Sequence, residues 1–356
     1  MTVRIYLRPL GILHGDSAER AVAAGWARPL GAAAAFVAGE IWRRAGDRIE
    51  RTSLPVTELA AWAQRAGGEV PAALEQRLQR LIRPPALPPG LPGRGPLIMG
   101  VVNVTPDSFS DGGRFLEAAS AIAEGHAQHA AGADIVDVGA ESTRPGAAAV
   151  SAEEEIGRVL PVVEALAQSG ILVSIDSRKA SVMQAALAAG ARMINDISAL
   201  RHDPDSLGVA GASGCPVVLM HSQGEPATMQ QRPTYTCAPL DVFDHLEQRI
   251  EAWVAAGFDR SRLLIDPGIG FGKTVAHNVD VLTRLGLYLG LGCPLLLGVS
   301  RKSFIPRLAG DDPAAERLPG SLAAALAGVA QGVAVLRVHD VAATRQAVRI
   351  WQALRG

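Results

Sequence analysis

Aromatic side chains are scarce in this chain, which has seven Phe, five Trp and three Tyr among its 356 residues. Proteins that bind single-stranded nucleic acid stack the bases on clustered aromatic rings, and an aromatic content of 4% does not favour such a platform. The chain also has no excess of one charge sign, because 34 basic residues are balanced by 35 acidic ones. Without a general positive field, nucleic acid and anionic membranes are not expected partners, and any anion site must be built locally.

Cysteine and long apolar runs are also few. Cys215, Cys237 and Cys293 fit no metal or redox spacing, and Cys215 and Cys293 each precede a proline and an apolar run, which predicts small buried residues where strands begin. Three unpaired cysteines fit a reducing compartment, so we expect a cytoplasmic protein. The most apolar long segment, 321–336, is interrupted by Gln331, and the N-terminus has no secretion-signal pattern, so no membrane span or leader is expected.

Proline is concentrated in one segment. Residues 83–96 read RPPALPPGLPGRGP, in which six of fourteen residues are proline. Such a segment favours extended backbone and cannot form the interior of a helix. It predicts an N-terminal extension of unknown role at 1–83, a linker at 84–96 and a larger domain at 97–356.

The first 83 residues predict a small α/β or helical extension that packs against the larger domain. A short strand is expected at 3–7, and helix-like runs begin at Thr57 and at Pro71. Acidic and basic residues are mixed in this region, so no charge run indicates a partner.

Apolar β-branched runs alternate with amphipathic runs after the linker. Strands without polar alternation are typical of a parallel sheet covered by helices. Eight such units in about 260 residues predict an α/β fold of the (β/α)8 TIM-barrel type, and no GxGxxG motif favours an open doubly wound sheet. The predicted strands are 97–104, 134–139, 172–177, 193–198, 216–221, 263–268, 294–300 and 333–340, and the predicted helices include 115–131, 152–168, 242–256, 277–289, 320–330 and 341–354.

Polar residues follow each apolar strand. In a TIM barrel all strand ends face one rim, where the active site lies, so these residues are expected to converge. They are Asn103, residues 137–141, Asp176, Asn195, Asp196, His221, Asp266, residues 300–302, Arg337 and His339.

Several of these strand ends belong to longer motifs that resemble the signature segments of dihydropteroate synthases, in that family's order. Two of the motifs, NVTPDSFSDGG and ESTRPG, are long enough that a chance match is negligible, whereas a lone DPG or RVHD would be weak. The resemblance covers roughly residue 96 to the C-terminus; Ser177 and Ile269 depart from the residues common in the family, but neither change removes a functional group. The segments are MGVVNVTPDSFSDGG (99–113), GAESTRPGA (139–147), NDIS (195–198), LMHSQGEPATMQ (219–230), DPGIGFGK (266–273), GVSRKS (298–303) and RVHD (337–340).

The resemblance implies that the chain joins a dihydropterin pyrophosphate to p-aminobenzoate in folate biosynthesis. The pterin edge carries N–H donors, for which buried carboxylates are natural partners. The implied catalytic residues are Asp176, Lys302 and Asp111. The implied pterin-binding residues are Asp176, Asn195, Met220, Asp266, Phe271, Gly298 and Lys302.

The remaining implied sites concern the leaving group and the second substrate. Arg337, His339 and Asn103 are implied to bind pyrophosphate, with Asn103 also holding Mg²⁺, a cation that prefers oxygen ligands. An SN1-like substitution is expected, with segments 105–114 and 142–148 closing over the substrates, and the family implies a homodimer formed through barrel helices. The implied p-aminobenzoate pocket consists of Phe109, Thr143, Arg144, Pro145 and Ser303.

Two other functions stay open at this stage. A methyltetrahydrofolate-dependent methyltransferase would share the pterin-binding residues but would not need ESTRPG, SRKS or RVHD, all of which are present. An inactive pterin-binding paralogue with a regulatory role would have lost charged site residues, which are retained here. The other histidines are interpreted as surface residues or as neighbours of the site: His126, His129, His202 and His245 on exposed faces, and His221 behind the pterin residues.

Overall fold

The computed structural model describes residues 3–31, 34–93, 95–104, 113–141, 150–225, 228–310 and 313–355. The strands are β1 (Arg4–His14), β2 (Arg28–Leu30), β3 (Ala34–Ala45), β4 (Arg48–Pro55), β5 (Leu97–Asn103), β6 (Ile135–Gly139), β7 (Val173–Asp176), β8 (Met193–Asp196), β9 (Val217–Met220), β10 (Leu263–Asp266), β11 (Leu295–Gly298) and β12 (Val333–Val338). The α-helices are α1 (Gly15–Ala23), α2 (Leu59–Ala66), α3 (Val70–Ile82), α4 (Gly113–Ala130), α5 (Ala152–Gln168), α6 (Ala180–Ala188), α7 (Ser206–Ser213), α8 (Ala238–Ala255), α9 (Val275–Leu282), α10 (Phe304–Ala309), α11 (Leu318–Val329) and α12 (Val341–Ala353), with 3-10 turns at Arg260–Arg262, Leu285–Leu291 and Ala314–Glu316.

The larger domain is a closed barrel of eight parallel strands, β5 to β12, with helices between them. The predicted (β/α)8 fold is therefore confirmed, and each predicted barrel strand is present within a few residues of its expected bounds. No described helix is long and apolar enough to cross a membrane.

Side chains that point into the barrel alternate along each strand, as pleated backbone requires. The lower part of the barrel interior is apolar, and on five of the strands the residue two positions beyond an apolar interior residue is a polar residue or glycine. Asn195 follows Met193 in this way, and Asp266 follows Leu264. The apolar interior residues are Leu97, Met99, Ile135, Met193, Val218, Leu264, Leu296 and Val335.

The proline-rich connection lies against the bottom of this barrel. Leu87 and Leu91 pack against the apolar interior cluster, at the end of the strands opposite the polar rim. The segment therefore covers apolar surface in addition to joining the N-terminal region to the barrel.

The N-terminal region takes the mixed α/β form. β3 pairs antiparallel with β1 along one edge and with β2 and β4 along the other, and α1, α2 and α3 accompany the sheet. The β3–β4 hairpin was not expected from the sequence. Its two-residue turn begins at Gly46, whose φ of 62° suits a tight hairpin turn, so the Gly-Asp pair was the available signal.

This sheet is docked on the barrel through α8 and the turn Leu285–Leu291. The ring of Tyr6 meets that of Phe243 edge-on at 5.1 Å, and its hydroxyl donates to Asp244 Oδ1 at 2.7 Å. Arg77 Nη1 donates to Glu247 Oε1 at 2.7 Å and to the Gly290 carbonyl at 3.1 Å. The sheet and the outer layer of the barrel share one apolar core.

Some helices differ from the expectation. The helix predicted at 277–289 is two elements, because α9 ends at Leu282 and glycine-containing residues Leu285–Leu291 continue as a 3-10 turn. The shorter helices α6, α7 and α10 were not predicted. In α6 and α7 small residues lie on both faces, so neither has the apolar periodicity that marks a helix in a sequence.

Candidate active site at the carboxyl end of the barrel

Six of the expected site residues lie side by side on the barrel strands. The strand register sets Asp176 beside Asn195, Met220 beside Asp266, and Gly298 beside Arg337. Asp176, Met220, Asp266 and Gly298 are the last residues of their strands. The rim thus brings carboxylates, an amide and a guanidinium together at one end of the barrel.

Arg337 links two carboxylates in this site. Its Nε donates to Asp137 Oδ2 at 2.6 Å, and its Nη2 donates to Asp176 Oδ2 at 2.7 Å. Asn195 Nδ2 also donates to Asp137 Oδ2, at 3.0 Å. Asp137 is fully buried, and it was not assigned a role from the sequence, although it lies among the polar residues 137–141 at the end of a predicted strand.

Lys302 lies beside Phe271 and Gly298. Its ammonium is 4.8 Å from the centre of the Phe271 ring and donates to the Ile269 carbonyl. Gly298 adjoins this side chain, since a Cβ atom built at position 298 would lie 3.7 Å from Lys302 Nζ. Asp266 Oδ1 accepts from the Gly268 amide at 2.7 Å, which fixes the turn that leads to Phe271.

Burial sets unusual protonation in this site. It raises the pKa of Asp176 to about 7, while the nearby Arg337 acts in the opposite direction. Burial lowers the pKa of Lys302 to about 8, and the carboxylate of Asp266 opposes that shift. The pKa of Asp266 is also raised by burial. Groups whose pKa values are moved toward neutrality cluster at functional sites, which supports a binding or catalytic role here.

A second lysine, Lys273, lies beneath the turn that carries Phe271. Lys273 is buried, and its ammonium lies 2.8 Å from His221 Nδ1, 2.8 Å from the Gly268 carbonyl oxygen and 3.1 Å from the Phe271 carbonyl oxygen. It therefore ties together both ends of the turn that carries Phe271. The final residue of DPGIGFGK was the available signal, but its contacts are not visible in the sequence.

The expectation for His245 is wrong. Its Nε2 atom is buried, and its ring packs edge-on against that of His221 at 4.8 Å instead of lying on an exposed helix face. The reason is that His245 lies on the face of α8 that packs against His221, the residue after β9. His126, His129 and His202 are exposed as expected.

Asn103, His339 and Ser303 lie at the periphery of the rim. Asn103 ends β5 with an exposed side chain, and His339 follows β12, the neighbouring strand, with Nδ1 3.0 Å from Ser300 Oγ. Ser303 is exposed immediately before α10. Phe109, Asp111, Thr143, Arg144 and Pro145 lie outside the described residues.

The donor set fits only a loosely held metal ion. Among the described residues, no group of three or more His, Cys, Asp or Glu side chains is placed to bind one. The exposed amide of Asn103 can supply one hard oxygen ligand. That suits Mg²⁺, which usually keeps several waters and takes its other ligands from substrate phosphates.

The fold and the site together define a TIM-barrel enzyme whose carboxyl rim gathers carboxylates, an amide and a guanidinium. A family model described as pterin binding enzyme matches residues 99–339. The dihydropteroate synthase of Escherichia coli K12 is 46% identical over 259 residues, which are 72% of this chain and 91% of that relative.

Solved structures agree with this match. Xanthomonas albilineans dihydropteroate synthase with 4-aminobenzoic acid superposes with a TM-score of 0.69 at 48% identity, over 73% of this chain and 93% of that one. The Yersinia pestis dihydropteroate synthase in a sulfonamide drug complex superposes with a TM-score of 0.70 at 44% identity, over 75% and 98%. The chain belongs to the dihydropteroate synthase family and is a transferase of folate biosynthesis.

Proposed function

We propose that this chain condenses 6-hydroxymethyl-7,8-dihydropterin pyrophosphate with p-aminobenzoate to give 7,8-dihydropteroate and pyrophosphate. The observation that carries the proposal is the convergence of Asp176, Asn195, Asp266, Lys302 and Arg337 on one rim of a barrel that belongs to this family. These groups match the hydrogen-bonding edge of a pterin and the charge of a pyrophosphate.

The pterin would bind through its polar edge and its faces. Ionised Asp266 and Asp176 accept hydrogen bonds from N–H groups, Asn195 can both donate and accept, and Lys302 donates to the carbonyl side. Met220 is buried at the end of β9, and Phe271 lies beside Lys302, so both can contact the ring faces.

The leaving group would bind at Arg337 and His339. Arg337 belongs to β12 and His339 is the first residue after that strand, so both lie at the same end of the barrel. A guanidinium stabilises the negative charge that develops on pyrophosphate as the bond to carbon breaks. Mg²⁺, held on the protein through Asn103 and otherwise by water and phosphate oxygens, would supply further charge neutralisation.

The substitution would proceed by prior ionisation of the pterin. The carbon–oxygen bond breaks, its electron pair leaves with pyrophosphate, and the exocyclic cation is captured by the amine nitrogen, which then loses a proton. The carboxylate of Asp176 is placed to stabilise that cation. Phe109, Thr143, Arg144, Pro145 and Ser303 would form the p-aminobenzoate pocket, with Asp111 near the reacting carbon.

Two further parts of the proposal concern the state of the protein. Its three cysteines are unpaired and Cys215 and Cys293 are buried, which supports a reducing cytoplasm. A homodimer would use outer barrel helices. At the C-terminal end of α12, Ile350 and the next residue after the helix, Leu354, are 59% and 82% exposed.

The test of the reaction is a turnover assay with dihydropterin pyrophosphate, p-aminobenzoate and Mg²⁺, in which pyrophosphate and dihydropteroate are both measured. We expect product that disappears when p-aminobenzoate is omitted or the metal is chelated. Sulfonamides resemble p-aminobenzoate and should compete with it. Rates that stay unchanged at high drug concentration would contradict the proposed pocket.

An inactive pterin-binding paralogue is the alternative outcome of this assay. Pterin binding without product would favour it. The retention of Asp176, Asp266, Lys302 and Arg337 supports the active enzyme, since these are the charged groups that the chemistry needs.

A further inference from the structure

Asp137 is a fully buried charged group beneath the site. It lies in β6, one layer below the rim, and its side chain is 0% exposed. Its Oδ2 atom accepts two hydrogen bonds, from Arg337 Nε and Asn195 Nδ2, and no described group donates to its Oδ1. An ionised carboxylate is costly to bury, so its position depends on these two partners.

The contact with Asp137 fixes how Arg337 presents its guanidinium. Asp137 takes the Nε hydrogen from within the barrel, while Asp176, which is 19% exposed, takes one Nη2 hydrogen at the rim. No described residue accepts from Nη1. Because Asp137 is enclosed and Asp176 is partly exposed, an arriving anion can replace Asp176 while Arg337 stays attached to Asp137.

The same carboxylate fixes the amide of Asn195. Asp137 Oδ2 can only accept, so the NH₂ group of Asn195 must face it. The carbonyl oxygen of Asn195 and its second N–H are then left for a ligand. Reversing the amide would exchange donor and acceptor on the side where the pterin is proposed to bind.

We propose that Asp137 is a positioning residue, which orients Arg337 for pyrophosphate and Asn195 for the pterin and which releases Asp176 to the substrate when Arg337 binds the anion. This inference rests on the proposed function, but it concerns a residue that touches neither substrate. In this proposal, the orientation of both Arg337 and Asn195 depends on the buried carboxylate of Asp137 that lies between them.

The experiment compares Asp137→Asn with Asp134→Asn. Asp134 precedes the same strand, at the other end of the barrel, and its carboxylate pairs with Arg345. Both variants therefore remove an aspartate that pairs with an arginine, but only one lies in the site. Steady-state constants for both substrates are measured, together with calorimetric binding of inorganic pyrophosphate in the presence of Mg²⁺ and the unfolding transition.

We expect Asp137→Asn to raise the KM for the pterin substrate and the Kd for pyrophosphate at least tenfold, corresponding to about 1.4 kcal/mol or more, and to leave the KM for p-aminobenzoate unchanged. Asp134→Asn should change none of these constants. An unchanged Kd for pyrophosphate in folded Asp137→Asn would overturn the assignment.

A second variant, Asp137→Ser, is measured if Asp137→Asn does not fold, because serine leaves room for a water beside Arg337. If neither folds while Asp134→Asn does, the assignment also fails, since Asp137 would then support the barrel instead of the site. A wild-type protein that binds pyrophosphate in an Asp137-dependent way without turnover would overturn the proposed reaction and retain the positioning role.

Discussion

At the scale of single residues, the site depends on charged groups whose protonation is set by burial. Asp176 and Lys302 have pKa values of about 7 and about 8, so both change charge close to neutral pH. A pterin requires the ionised carboxylate as an acceptor and the ammonium as a donor. The two groups are in their required forms together only in a narrow interval.

We therefore expect pterin affinity to have a bell-shaped pH dependence with its maximum between about pH 7 and about pH 8. Below this interval Asp176 gains a proton and loses acceptor capacity, and above it Lys302 loses its charge. Calorimetric titration of the pterin at a series of pH values measures both limbs. Lys302→Arg should lose the alkaline limb, because arginine stays protonated; an alkaline limb that persists in this variant would assign it to another group.

Lys302→Ala should lower the turnover rate by about 10²-fold or more while the fold is retained. The side chain lies at the rim and contacts Phe271 and the Ile269 carbonyl, so its loss leaves the apolar core intact. Turnover and thermal unfolding are measured together. A variant that does not fold would show that Lys302 has a structural role.

The sequence could predict the strand-end residues because each belongs to a motif and to an apolar strand. Asp176, Asn195 and Asp266 lie where that pattern places them. The dependence of the site on Asp137 could not be predicted, since its partner Arg337 is 200 positions away and the contact arises only when the barrel closes. The contact of His245 with His221 was also missed, because it too arises only when α8 packs against the barrel.

At the scale of elements, the connection between β10 and α9 is held by contacts that leave no space for larger side chains. Gly268 has a φ of 66°, and a Cβ atom there would overlap the carbonyl oxygen of His221. Lys273 binds the backbone on both sides of this turn. The position of Phe271 in the site follows from this packing.

Gly268→Ala should destabilise the protein by about 3 kcal/mol or more and weaken pterin binding, because left-handed backbone and steric overlap add. Gly257→Ala is the matched control, with a φ of 85° and no neighbouring atom within 4 Å of the added carbon. It should cost only about 1–2 kcal/mol and leave binding unchanged. Chemical denaturation and pterin titration separate the two effects; equal losses in both variants would mean that backbone strain alone is responsible.

Elements were predictable where their pattern was strong. The eight barrel strands are mostly apolar, whereas α6 and α7 mix small and apolar residues around the helix without an apolar stripe. The hairpin of β3 and β4 was missed because the decisive signal was a two-residue turn at Gly46.

At the scale of the whole molecule, the N-terminal sheet is bound to the barrel by arginine–carboxylate contacts around a shared apolar core. Arg4, Arg44 and Arg77 reach Asp241, Asp244 and Glu247 on α8. The guanidinium of Arg284, which belongs to the barrel, lies 5.5 Å from the centre of the Trp42 ring. The sheet and the barrel are expected to unfold in one transition.

Arg77→Met should lower the free energy of unfolding by about 3 kcal/mol, since it leaves the carboxylate of Glu247 with one fewer partner in a mostly buried position. The Arg77 side chain is 9% exposed and also lies over the Phe243 ring. Arg20→Met, at an exposed position of α1, is the control and should have little effect. Two separate transitions in the wild-type protein would contradict the shared core.

The leucines of the proline-rich connection have a consequence for dividing the gene. Leu87 and Leu91 precede the first barrel strand, yet they cover the barrel's apolar lower end. The natural break in the chain is therefore near residue 84, ahead of the family match that begins at residue 99. If the gene were divided at residue 84, the barrel fragment would retain Leu87 and Leu91 against its lower end. The separate N-terminal fragment could still bind α8 through its arginines. A division at residue 96 would instead remove both leucines from the barrel fragment and expose its apolar lower interior to water.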